Sequence, residues 1–162
     1  MRVIGLDVGD RTVGVALSDE TGLLGQGLTV LRRRDPESDL RRIEELCSER
    51  GVQEVVVGLP RLLSGELGPQ ALKVLAFVDG LRLRLPIPVA TWDERLTTRV
   101  AERAMIEADV SRKRRRERID QVAAAVILQG YLDARRHAEA RAGNARTAGQ
   151  ADGEEPPADQ KR

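Results

Sequence analysis

The stretch Glu54-Val55-Val56-Val57-Gly58-Leu59-Pro60 constrains the fold of this chain more than any other. A strand with one face in water alternates apolar and polar residues, and three consecutive valines leave no polar alternate. Such a run is covered on both faces, as in a parallel sheet flanked by helices. Gly58-Leu59-Pro60 ends it, since proline cannot donate to a strand ladder.

The remaining pattern agrees with a mixed sheet. Val3 to Val8 and Thr12 to Leu17 are short β-rich runs separated by Gly9-Asp10-Arg11, and Leu28 to Leu31 adds a third, so the chain opens as an antiparallel meander. Asp35 is placed to cap a helix that begins at Pro36, carries Leu40, Ile43, Leu46 and Cys47 at helical spacing and stops at Gly51. Leu72, Leu75, Val78 and Leu81 predict a second helix over 70–83, and Ile87 to Trp92 another strand. Thr97 or Thr98 would cap a helix carrying Val100 and Ala104. A basic stretch then interrupts, and Ile119, Val122, Ala123, Val126, Ile127 and Tyr131 mark a final amphipathic helix. The expected fold class is α/β: an antiparallel meander followed by parallel strands, with helices on the faces.

Residues 1–136 suffice for one domain, whereas 137–162 are Ala, Gly, Glu, Asp and Pro with hardly a large apolar side chain, and are expected to form a polar tail without regular structure. Cys47 is the single cysteine, so no intrachain disulfide can form, and its place on the first helix's apolar stripe makes it a core residue. No apolar run approaches the length of about 20 residues needed to cross a bilayer. The expected setting is therefore cytoplasmic, with no membrane partner, as a monomer or a homodimer. His137 is the sole histidine and falls in the tail, which argues against zinc.

Lys and Arg total 27 against 26 Asp and Glu, a net charge of +1, yet the charge is uneven. Arg112, Lys113, Arg114, Arg115, Arg116 and Arg118 crowd one stretch that could attract a polyanion. With one Trp, one Tyr and one Phe, stacking of bases on an aromatic platform is not the expected mode.

Acids stand at three element ends. Asp7 shares a strand face with Val3 and Gly5, and a lone carboxylate there is costly to desolvate unless a cation or hydrogen bonds meet it. Asp93-Glu94 follows the strand Ile87 to Trp92, at the end where open α/β sheets bind ligands. Asp120 precedes Ala123, Ala124 and Ile127 on one side of the last helix. Each acid alone also fits a turn former or a helix N-terminus. Together they suggest a crevice for hard cations such as Mg²⁺, whose pairing can hydrolyse phosphodiesters without histidine.

Four ordered segments, "GLDVGDRTVGVALSD", "VVGLPRLLSG", "TWDERLTTRVAE" and "RIDQVAAAVILQGYL", resemble the YqgF/RuvX family of ribonuclease H-like proteins, described as Holliday junction resolvases and as nucleases that process pre-16S rRNA. The resemblance spans residues 1 to about 135. It implies a ribonuclease H-like fold, and Asp7, Glu94 and Asp120 as catalytic carboxylates holding Mg²⁺ or Mn²⁺. It implies Gly9, Gly58, Pro60 and Gly65 as loop residues near the site, and structured nucleic acid as the partner. Arg95 becomes a phosphate contact, and Arg112, Lys113, Arg114, Arg115 and Arg118 a phosphate-binding loop. The expected function is cleavage at the 5′ end of pre-16S rRNA; the alternatives are Holliday junction resolution and non-catalytic RNA or ribosome binding. Arg118 and Gln121 depart from the family's lysine and serine near the third acid.

Overall fold

In the computed structural model, which describes residues 1–95 and 112–151, the valine run lies inside a five-stranded sheet. Strands β1 (Val3–Val8), β2 (Thr12–Ser18), β3 (Gly25–Arg32), β4 (Glu54–Leu59) and β5 (Val89–Asp93) are ordered β3-β2-β1-β4-β5. β2 is antiparallel to both β1 and β3, whereas β4 is parallel to both β1 and β5. The expected meander followed by parallel strands is what forms, and Val55, Val56 and Val57 are fully buried.

The two faces of the sheet are covered by different helices. On one, Ile4, Leu6, Val55 and Val57 pack with Ile43 and Cys47 of α1 (Pro36–Arg50) and with Ala71, Val74, Phe77 and Leu81 of α2 (Pro69–Arg84). On the other, Val3, Ala16 and Val56 pack with Ala124, Leu128 and Leu132 of α3 (Arg112–Ala151). Full burial of each Leu or Ile contributes about 1.5–3 kcal/mol. The strand face with Val3, Gly5 and Asp7 is thus the α3 face.

α1 forms as its sequence dictates: Asp35 accepts a hydrogen bond from the Ser38 amide at 2.9 Å, Pro36 opens the first turn and Gly51 ends the helix at φ +61°. Burial pushes the Cys47 thiol up to about 11, in keeping with a core residue. α2 buries Ala71, Val74, Phe77, Val78 and Leu81, leaving Leu72 exposed against expectation. At about 100° per residue, nine positions set Leu72 roughly opposite Leu81, so both cannot face the sheet.

α3 differs from expectation at both ends. Residues 112–118, expected as a loop, already belong to the helix, and Asp120 lies turns inside it instead of at its start. Arg, Lys and Glu favour helix, and no Gly, Pro or capping residue interrupts them. Helix also continues through 137–151, where a tail without regular structure was expected. Ala138, Ala140, Ala142 and Ala145, interleaved with Arg and Glu, have high helix propensity although they provide no apolar stripe. The chain divides into two compact units, Met1–Leu132 and Asp133–Arg162, the second carrying an ion pair of Arg136 with Asp133 at 2.5 Å. The helix expected from Thr97 or Thr98 lies outside the described residues. Among the described residues no helix is long and apolar enough to cross a membrane.

Candidate active site

Sheet register places Asp7. It pairs with Gly14 of β2, while Leu6 pairs with Val57 of β4, so one step further along both parallel strands Asp7 stands beside Gly58. Gly58 in turn pairs with Trp92 of β5. A row Gly14, Asp7, Gly58, Trp92 crosses the α3 face of the sheet, with one carboxylate flanked by two residues that have no side chain.

Both glycines are filled by what approaches over them. A Cβ on Gly58 would collide with the carboxylate of Glu94 and lie 2.5 Å from Cδ1 of Ile127. A Cβ on Gly14 would collide with the backbone carbonyl of Asp120. Glu94 follows β5, its amide donating to the Leu59 carbonyl at 3.2 Å, and its side chain folds back across β4 toward the middle of the sheet. Asp120 comes down on β2 from α3, and its Oδ2 accepts from the Thr12 hydroxyl at 2.9 Å.

The electrostatics follow from this crowding. Burial, helped by repulsion from Asp120, pushes the Asp7 carboxyl up to about 6. Burial, then repulsion from Asp7 and Asp93, pushes Glu94 up to about 7. Asp7 therefore interacts with both other acids, and among the described residues no Lys or Arg is ion-paired with it. Also among the described residues, no three Asp, Glu, His or Cys side chains stand close enough together to hold a metal ion as a group. The acids meet as two pairs, and Asp7 is common to both.

Asp93 has a different environment from its neighbour Glu94. Hydrogen bonds from Arg95 hold its carboxyl below the usual range, with Arg95 Nη2 at 2.7 Å and Arg61 Nε at 3.9 Å. Arg95 is thus engaged with Asp93 at the rim of the site. Gly65, at φ +88°, turns the loop after β4 so that its position lies against the Arg95 guanidinium. Pro60 follows β4 directly, whereas Gly58 belongs to the strand itself and not to the loop expected from sequence. Gly9 closes the β1–β2 turn by donating to the Thr12 carbonyl at 2.8 Å and accepts from Arg33 at 3.0 Å.

Arg114 and Arg118 are exposed on the first turns of α3, and the side chains of Arg112, Lys113 and Arg115 lie outside the described residues. Gly14 and Thr12 were not among the residues expected at the site. A glycine inside an apolar strand marks close approach of another backbone, and that signal was present at Gly14.

Known proteins share this arrangement of elements. T. thermophilus RuvC in complex with a Holliday junction substrate superposes with a TM-score of 0.56 at 18% identity, over 85% of this chain and 96% of that one. The fowlpox virus resolvase bound to Holliday junction DNA superposes with a TM-score of 0.52 at 10% identity, over 83% and 98%. At these identities the likeness establishes the ribonuclease H-like fold. Sequence relatives are much nearer. A proposed pre-16S rRNA nuclease of Desulforudis audaxviator is 54% identical over 136 residues, covering 84% of this chain and 96% of the relative. A proposed pre-16S rRNA nuclease of Symbiobacterium thermophilum is 57% identical over 135 residues, covering 83% and 94%. The family model described as "RuvX: Holliday junction resolvase" matches residues 1–134, which include every acid of the site, and the chain belongs to that RuvX (YqgF) family.

Proposed function

We propose that this protein is a nuclease that hydrolyses phosphodiester bonds in structured RNA with the help of Mg²⁺ or Mn²⁺, acting in the cytoplasm on the 5′ end of pre-16S rRNA. The observation that carries this reading is the concentration of negative charge at Asp7, whose carboxyl is desolvated and coupled to Glu94 and Asp120. Such a group is stabilised by a cation, and among the described residues no Lys or Arg is ion-paired with it. The relatives' names support the RNA substrate.

The donor chemistry fits a hard dication: carboxylates that meet in pairs at Asp7, with neither histidine nor cysteine beside them. Asp7, Glu94 and Asp120 would hold it, and when bound it activates water and offsets charge on the phosphate. Thr12 orients the Asp120 carboxylate through its hydroxyl. Gly14 and Gly58 leave the space that α3 and Glu94 occupy. The upward shift of Glu94 comes from burial and from repulsion by Asp7 and Asp93, and a bound dication would offset that repulsion and hold Glu94 as a carboxylate. Arg95 and Arg61, held by Asp93, present positive charge at the rim for a phosphate.

The test is cleavage of a precursor 16S rRNA fragment and of a four-way DNA junction by the native protein and the Asp7→Asn and Asp120→Asn variants. Native cleavage of the RNA in Mg²⁺ or Mn²⁺ is expected, with each variant reduced at least about a hundredfold. The likeness to junction-bound resolvases favours the junction as the second substrate to try. Junction cleavage without RNA cleavage would move the substrate to DNA, and RNA binding without any cleavage would leave a binding module.

A further inference from the structure

A groove of about 1090 Å³ opens beside Thr12 and Asp120. Four of its arginines come from four different elements: Arg11 from the β1–β2 turn, Arg32 from the end of β3, Arg42 from α1 and Arg116 from α3. Resting on the nuclease reading above, we propose that this groove carries a nucleic-acid strand to the carboxylates by gripping its phosphates, without reading its bases.

Charge, shape and lining support this assignment. Among the described residues none of these four guanidinium groups is in an ion pair; Arg42 donates to the Arg32 backbone carbonyl at 2.6 Å, which keeps its charge. Arg33 also lines the groove but is committed to Asp39 at 3.2 Å. The acids present are Asp10, Glu117 and Asp120; Asp10 is countered by Lys73 at 3.2 Å, and Asp120 belongs to the site. The remaining balance is positive. Convergence of separate elements distinguishes the groove from a charged run on one helix, which solvent alone explains. Guanidinium groups bind phosphate oxygens in pairs through their planar fork. Among the described residues no aromatic ring lines the groove and Val30 is its apolar contribution, so bases find no stacking platform in that lining. Contacts limited to phosphates position a strand and carry no sequence information.

Asp120 itself lines the groove, so a strand lying in it passes a carboxylate of the site. The exposed arginines Arg11 and Arg32 are the direct probes, because no hydrogen bond of their side chains supports the fold among the described residues.

The experiment is equilibrium binding of a fluorescein-labelled RNA hairpin with a single-stranded extension to the full chain, in EDTA so that no bond is broken, across a salt series. Arg11→Ala/Arg32→Ala is expected to lower affinity at least tenfold at low salt. It should also flatten the slope of log affinity against log salt by about 1.4, at about 0.7 for each single-strand phosphate that is no longer neutralised. Arg32→Lys keeps the charge, and should retain the native slope with an intermediate affinity. Arg41→Ala/Arg50→Ala removes the same charge from α1 outside the groove and should leave both quantities unchanged. Native affinity and slope in the Arg11→Ala/Arg32→Ala variant, with its thermal melt unchanged, would overturn the proposal, as would equal losses in the Arg41→Ala/Arg50→Ala control. The nuclease reading is scored separately by cleavage. A native protein that cleaves while the groove variant binds normally sinks only the groove, and one whose binding depends on the groove but which cleaves nothing sinks only the nuclease.

Discussion

Asp7 illustrates how much one side chain owes to its neighbours' lack of side chains. Its carboxyl titrates near 6 and that of Glu94 near 7, both above the ordinary values of 3.8 and 4.5. Between the unfolded and folded values the folded chain binds more protons than the unfolded chain, so stability is lost as pH rises through that window, from about pH 4 to about pH 7. For Asp7 the shift corresponds to about 3 kcal/mol. Metal-free Asp7→Asn is accordingly expected to melt higher than the native protein at pH 8 and no differently near pH 4, which thermal melts in EDTA would check. Mn²⁺ at pH 8 should narrow the gap by binding the native site. Gly58→Ala puts a methyl where the Glu94 carboxylate lies, and should cut cleavage at least tenfold while costing about 1–3 kcal/mol in denaturant melts. At this scale Asp7 and Asp93-Glu94 drew notice as acids at strand ends and Asp120 as an acid expected at a helix start, which the structure places inside α3; the resemblance, not the pattern, singled out Glu94 from its neighbour. Gly14 carried the signal of a close approach but not the identity of its partner, because the backbone that fills its space comes from a residue more than a hundred positions away.

At the scale of elements, the site depends on how closely α3 can lie on the sheet. Gly5 is part of the same contact, since a Cβ there would stand 2.7 Å from Cβ of Leu128. Gly14→Ala meets backbone instead of a flexible side chain, so it should destabilise more than Gly58→Ala, and comparison of the two chemical midpoints would show it. On the opposite face Arg33 ties together α1, α2 and the β1–β2 turn. It pairs with buried Asp39 at 3.2 Å, donates to the Gly9 carbonyl at 3.0 Å and lies 5.4 Å from the centre of the Phe77 ring. Arg33→Met leaves Asp39 buried without its counterion, and should cost about 3 kcal/mol in urea unfolding; adding Asp39→Leu should recover part of that. The capping chemistry of α1 was readable because it is local. The roll of α2 was not: Ala71 and Val74 outrank Leu72 through the sheet surface they meet, which no local pattern reveals. The start of α3 was misjudged for the reason that charge run and helix are compatible, the basic residues being strong helix formers.

At the scale of the whole molecule, the topology followed from the valine run, the hairpin glycines and the alternation of helix and strand. The end of the domain was harder to see, because alanine-rich sequence sustains helix without needing a core. Leu132 is the last residue of α3 in the buried cluster. Removing 137–162 is therefore expected to leave the melting temperature within about 2 °C of the native value, and RNA cleavage unchanged, measured side by side on the two chains. The claim on which all else rests is that Asp7, with Glu94 and Asp120, is where a dication binds. Anomalous scattering from crystals grown in Mn²⁺ tests it directly. Manganese density against the Asp7 carboxylate, shared with Glu94 or Asp120, is the expected result; saturating Mn²⁺ with density elsewhere, or none at Asp7, would contradict it.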